Sequence, residues 1–365
     1  MKKLSALILA LGMMCTMAAC GTKENAPAAS APAASAPAAS APAASAPAAE
    51  GYDYPVDTIT MIVPYGAGGT TDVVGRQFAV ALSKVLDVDI VIENQAGASG
   101  SIGCQAALDA DTDGSVVLFT AESLGTQRVM GISELSYANY KPIAAVANDP
   151  KVIVVNGNSK YNTIDELLAD IKANPGTIQM SYTGPGGSGH VQALIMNQFG
   201  YVPALTAYSS GSDCYVAVMG DQVVFTNSNY STVASYIENG DLKLLAVAAT
   251  ERMADYPDVP ALSEVMEGSD SYLSIPYTPL SMLVSAEMDD PIVETLRAAC
   301  AEAVHDPDFE AFMEANSVDK LYEKYTTVEE MNEFYSEWES TVSWLLYDAG
   351  AATYSPEDFG IAKLN

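Results

Sequence analysis

The segment from Thr58 to Asn94 limits the fold more than any other part of the chain. An apolar, β-branched run, "TITMIV", ends in "PYGAGGTTD". A stripe of helical period follows at Val74, Phe78, Ala81, Leu82 and Val85, and "DIVIEN" then reads as a second strand. A strand that feeds a helix and returns as a strand is a βαβ unit, which requires parallel strands with helices on the sheet faces. The alternation continues through the helix "SGSIGCQAALDA" and the strand "SVVLFTAES", so the fold class is α/β. "KPIAAVANDPKVIVVN" reads as two strands that carry the chain out of this first unit.

A second α/β unit follows. Thr163 stands three residues before Glu166, a capping box ahead of the amphipathic helix "IDELLADIKA", and "NPG" stops that helix. Next come a strand, the loop "TGPGGSGH", the helix "VQALIMNQFG", short strands in "VPALTAYS" and "QVVFTNS", the helix "TVASYIENG" and the buried strand "LKLLAVAA". "SIPYTPLSMLVSAE" returns the chain to the first unit, and two helices finish it. In "PIVETLRAACAEAVHDPDFEAFMEA" the stripe is Val293, Leu296, Cys300 and Val304, and in the last helix it is Met331, Phe334, Trp338, Val342 and Leu345. The expected division is residues 52–154 with 276–365 in one lobe and 155–275 in the other.

The N-terminus lies outside this fold. "MKKLSALILALGMMCTMAAC" joins two lysines, an apolar run of about a dozen residues and small residues before a cysteine, which is the order of a secretory signal. "MAAC" resembles a bacterial lipobox, in which Cys20 becomes the lipidated first residue; an ordinary signal peptide cut nearby is the other reading. Residues 1–20 are then the signal and 21–51 a tether. "APAAS" repeats every five residues from Ala26, carries no charge, and its prolines block helix and sheet. Extended, the repeat from Ala26 to Ala49 spans on the order of 70 Å at ~3.1 Å per residue.

A net charge of −30 argues against nucleic acid and anionic lipid as partners. Cys104, Cys214 and Cys300 are an odd, sparse set without metal spacing, which reads as buried thiols. Neither a metal nor a cofactor is expected. "GAGGTTD" approaches the dinucleotide fingerprint, with Glu93 at the end of the second strand, but Thr71 stands where the third glycine belongs. No lysine follows the loop, so a P-loop is excluded. "DADTDG" has Thr120 where a calcium loop needs Glu, and "GGSGH" breaks the serine-hydrolase pattern at His190.

The positive signal is a pair of loops, "PYGAGGTTD" and "TGPGGSGH", each after a strand and before a helix. Each leaves backbone N–H groups free at a helix N-terminus, where an anion is stabilised, and its glycines admit a ligand close to the backbone. Neither loop carries Arg or Lys, so the expectation is a clamp of neutral donors, with His190 the sole candidate cation. Asp72 either caps its own helix or accepts a ligand ammonium.

"YPVDTITMIVPYGAGGTTDVVGRQFA", "VIENQAGASGSIG", "ELLADIKANPGTIQMSYTGPGGSGH" and "ENGDLKLLAVAATERMADYPDVPALSEV" together resemble the solute-binding receptors of tripartite tricarboxylate transporters, in order, from Tyr54 to about Gly350. The resemblance implies a two-lobed periplasmic-binding-protein (type II) fold with a ligand cleft between the lobes. It implies a non-enzymatic monomer that binds a small carboxylate, a di- or tricarboxylate or similar, with some acidic amino acids among the family's ligands, and delivers it to integral-membrane permease subunits from the outer face of the cytoplasmic membrane. A sensor domain or an exported enzyme on the same scaffold is the alternative. Carried over by position, the ligand-binding set is Tyr65, Gly66, Ala67, Gly69, Thr70, Thr71 and Asp72 in the first loop and Gly186, Gly187, Ser188 and His190 in the second. Tyr208 and Asn227 match two further family positions. Ser209 replaces the lysine common beside Tyr208, and Pro185 replaces a commoner polar residue.

Overall fold

The structure, a computed structural model, describes residues 52–364. The signal, the lipobox cysteine and the tether lie outside these residues. In chain order the first part contains β1 (Thr58–Val63), α1 (Thr70–Leu86), β2 (Asp89–Asn94), α2 (Ser101–Leu108), β3 (Val116–Thr120) and β4 (Tyr140–Asn148). The middle contains β5 (Lys151–Asn156), α3 (Ile164–Ala173), β6 (Gln179–Tyr182), α4 (Ser188–Gln198), β7 (Ala204–Ala207), α5 (Gly211–Met219), β8 (Phe225–Asn229), α6 (Tyr230–Glu238) and β9 (Leu242–Val247). Two short helices follow, α7 (Leu262–Val265) and α8 (Asp270–Leu273). The chain ends with β10 (Pro279–Ser285), α9 (Asp290–Ala303), α10 (Pro307–Ala315), β11 (Asp319–Lys320) and α11 (Val328–Asp348).

These strands form two mixed sheets. The first has the order β11-β4-β10-β3-β1-β2 and the second β7-β6-β8-β5-β9. β1 runs parallel to β2 and β3, as the βαβ pattern requires, while β10 returns antiparallel between β3 and β4. In the second sheet β6 runs parallel to β7 and β8, and β5 is antiparallel to β8 and β9. The chain passes between sheets at Asp149–Pro150 and again before β10.

Helices cover both faces of the first sheet. Phe78 on α1 packs against Phe119 of β3 and Phe309 of α10, with ring centroids 6.0 and 5.5 Å apart, and this cluster fills one face. On the other face α2 and α11 share a core with α3 and α4 of the second sheet, which joins the two halves through one hydrophobic cluster. α5 and α6 cover the outer side of the second sheet. The cap read at Thr163 is present but the reciprocal half of the box is displaced: the Thr163 hydroxyl accepts the Glu166 N–H, while Glu166 accepts the N–H of Asn162, one residue before the cap, at 2.6 Å. The long segment after Pro291 is two helices rather than one. Asp306 accepts the N–H groups of Asp308 and Phe309, and Pro307 starts α10 because it lacks a donor at a position that needs none.

Candidate functional site

A cavity of about 440 Å³ lies where the two sheets face each other. That is within the range of about 300–1,000 Å³ typical of small-molecule sites. Four helices turn their N-termini toward it. α1 contributes Gly69, Thr70 and Thr71, and α4 contributes Gly187, Ser188 and Gly189. α5 contributes Ser210 and Gly211, and α6 its preceding residue Asn229. The first-turn N–H groups of a helix have no intrahelical acceptor, so each terminus is a site for negative charge. This convergence follows from the topology, because each of these helices begins just after a strand.

The two halves touch across the cavity rim. Ser212 Oγ donates to the Ala67 carbonyl at 3.2 Å, Ser99 Oγ to the Pro185 carbonyl at 3.0 Å, and Thr126 Oγ1 to the Gly186 carbonyl at 3.0 Å. Glycine is required at two places along this rim. A Cβ on Gly66 would lie 2.8 Å from Ser210 Cβ, and Gly186 has φ +80° with Thr126 Oγ1 2.6 Å from where a Cβ would be.

The wall includes Tyr65, Gly66, Gly69, Thr70, Thr71, Gly187, Ser188, Tyr208 and Asn227 from the set expected by sequence. Ala67, Asp72, Gly186 and His190 stand behind it. Asp72 accepts the Gly68 N–H at 2.9 Å and pairs with Arg76 at 2.7 Å. Burial pushes its carboxyl up, but the hydrogen bonds from Arg76, Gly68 and Asn94 outweigh it and hold the group below its ordinary value. Asp72 thus closes its own loop. His190 is held below the ordinary imidazole value by burial, and its Nδ1 accepts the Gly186 N–H at 3.1 Å, which uses the neutral ring. Asn227 presents an amide whose oxygen and nitrogen are both buried and without a protein partner. Buried polar groups are seldom left unmade, so this amide is poised for a bound molecule.

The expectation of an uncharged clamp is not met. Lys151, only 7% exposed, lines the cavity from the first residue of β5 and donates to Asn229 Oδ1 at 2.7 Å. Burial lowers its pKa, while the nearby carboxylates of Glu122 and Asp149 favour its charged form. Glu122, 6% exposed, lines the cavity just after β3 and accepts the Ser188 N–H at 2.8 Å. A protein carboxylate therefore already occupies the N-terminus of α4. Asp149 does the same at α6: it accepts the Ser231 N–H at 3.2 Å and hydrogen bonds from the hydroxyls of Ser231 and Thr70. The termini of α1 and α5 remain open to the cavity. Sequence reading passed over Glu122, Asp149 and Lys151 because charged residues beside turns are ordinarily solvated. The one available signal was "NDPK", two charges around a proline between two apolar strands.

Cys104, Cys214 and Cys300 are buried free thiols, and burial raises the first two to about 12, so none is a nucleophile at neutral pH. Among the described residues no cluster of side chains could hold a metal ion, and no helix is long and apolar enough to cross a membrane.

Residues 74–339 match the family model described as tripartite tricarboxylate transporter family receptor. The chain is similar to protein BugT of Bordetella pertussis, 29% identical over 258 residues, covering 69% of this chain and 77% of that protein. In fold it is similar to the periplasmic binding protein BugD (TM-score 0.75, 24% identity, 82% of this chain and 99% of that one). It is likewise similar to MatC of Rhodopseudomonas palustris, solved with bound malate (TM-score 0.73, 20% identity, 80% of this chain and 100% of that one). The two mixed sheets enclosing a cavity are thus the periplasmic-binding-protein fold, and the chain belongs to the tripartite tricarboxylate transporter receptor family, whose members are solute-binding proteins and not enzymes.

Proposed function

We propose that this receptor takes a small organic carboxylate between its two lobes and delivers it to the membrane subunits of a tripartite-type permease. We take the lobes as residues 52–150 with 276–365, and 151–275, joined near Asp149–Pro150 and before β10, because β5 pairs with β8 and β9 and a boundary at 154 would cut it. Cys20 carries the lipid anchor, and the Ala/Pro/Ser tether lifts the lobes off the outer face of the cytoplasmic membrane. The observation that carries this reading is the cavity itself: the open N-termini of α1 and α5 and the unpartnered Asn227 amide face the same space. Tyr65, Gly66, Gly69, Thr70, Thr71, Gly187, Ser188, Tyr208 and Asn227 are its contacts, while Ala67, Asp72, Gly186 and His190 shape the loops behind them. That MatC was solved with malate supports a carboxylate.

Calorimetry of the purified protein against mono-, di- and tricarboxylates and amino acids tests the reading. A carboxylate-containing ligand is expected to bind, and Thr71→Ala is expected to weaken it about tenfold, or ~1.4 kcal/mol. Absence of heat with every member of the panel would refute it.

A further inference from the structure

Among the described residues that line the cavity, Glu122 and Lys151 are the only two with a formal charge. We propose that the ligand is a zwitterion, a small molecule with a single carboxylate and a cationic nitrogen in the manner of a neutral or basic α-amino acid, and that Glu122 reads the nitrogen. This rests on the receptor reading above and narrows its ligand class.

Glu122 enters from the first sheet and is nine-tenths buried. One of its oxygens accepts the Ser188 N–H at 2.8 Å, and among the described residues no hydrogen bond reaches the other. A carboxylate offers about four acceptor positions, so with a single backbone donor Glu122 has acceptor capacity left toward the cavity. A ligand ammonium supplies donors for that open oxygen, in addition to the charge of the nearby Lys151. Lys151 has the complementary shortage. Its ammonium carries three protons, and Asn229 is its hydrogen-bond acceptor among the described residues. A ligand carboxylate between Lys151 and the open terminus of α1 answers it.

A dicarboxylate fits this wall badly. The N-terminus of α4, where a second carboxylate would bind, holds Glu122 instead. The N-terminus of α6 holds Asp149. One of the two ligand carboxylates would then face Glu122 in the same cavity, where like charges repel.

The test is calorimetry at neutral pH with two sets of probes: the neutral and basic amino acids, and succinate, glutarate, adipate, malate, aspartate and glutamate. The expected result is that one of the first set binds at least tenfold more tightly than every member of the second. Glu122→Gln keeps the acceptor for Ser188 N–H and removes the charge. It is expected to weaken that amino acid at least tenfold and leave the plain dicarboxylates no weaker than in the wild type. Tightest binding by a dicarboxylate, with or without an amino group, overturns the proposal, as does equal weakening of both sets in Glu122→Gln. The wild-type comparison decides the matter without the variant should the variant fail to fold. Binding of neither set overturns the carboxylate-receptor reading itself, a result distinct from a reversed preference.

Discussion

Replacing Asp149 with asparagine removes a charge from the seam between the two sheets while keeping the side chain's shape. Asp149 is fully buried and binds Thr70 on α1 and Ser231 on α6 at once. Burial raises its carboxyl from 3.8 to about 6, with the hydrogen bonds from Ser231 and Thr70 and the charge of Lys151 pulling the other way. The folded protein therefore holds a proton on Asp149 between about pH 4 and pH 6 that the unfolded chain has released. Its contribution to stability is greatest below pH 3.8 and is lost as pH rises through about 6. At about 1.36 kcal/mol per pH unit the loss is about 3 kcal/mol, with an interior site leaving little to solvent screening. Other carboxylates, among them Asp170 and Glu264, are shifted down and change stability in the opposite sense, so the difference between variant and wild type is the quantity to read. Denaturant unfolding at a series of values between about pH 4 and pH 7.5 is expected to show Asp149→Asn gaining up to about 3 kcal/mol on the wild type as pH rises. Parallel profiles would refute the argument, because they would mean that Asp149 titrates alike in both states.

Three further outcomes are expected. Gly103→Ala places a Cβ 2.7 Å from Pro64 Cα and 2.8 Å from the Gln95 carbonyl, both backbone atoms that hold the first loop. The strain, about 1–3 kcal/mol, exceeds the helix-propensity gain of ~1 kcal/mol, so the denaturation midpoint should fall; an unchanged or higher midpoint contradicts the packing. Because His190 is neutral and shielded, ligand affinity measured by calorimetry should stay flat from about pH 6.5 to about pH 8, whereas a decline as pH rises would make it a required cation. Cys20→Ala should move the protein from the membrane fraction to the soluble one, and equal membrane retention of the variant would exclude anchoring through Cys20.

Local pattern determined most of the secondary structure. The alternation from Thr58 to Asn94 became β1, α1 and β2 in parallel register, and the stripes at Val293 and Met331 became the buried faces of α9 and α11. The capping signal at Thr163 set the start of α3. These features are legible because helix and strand periods and caps depend on residues a few positions apart. Both glycine-rich loops were also visible as helix N-termini, since a strand, a run of glycines and hydroxyls, and a helical stripe are a local sequence.

The charge inside the cavity was decided by tertiary structure alone. Glu122 meets Ser188 across 66 residues, and Asp149 meets Thr70 across 79 and Ser231 across 82. Sheet order brings these residues together, and apart from "NDPK" between two apolar strands nothing in their own neighbourhoods marks them as buried. Lys151 begins a strand, yet its ammonium points inward because β5 lies between β8 and β9, with Asn229 of β8 directly opposite it. A charged side chain is exposed unless a distant partner offsets its desolvation, and that partner has no local signature in the sequence.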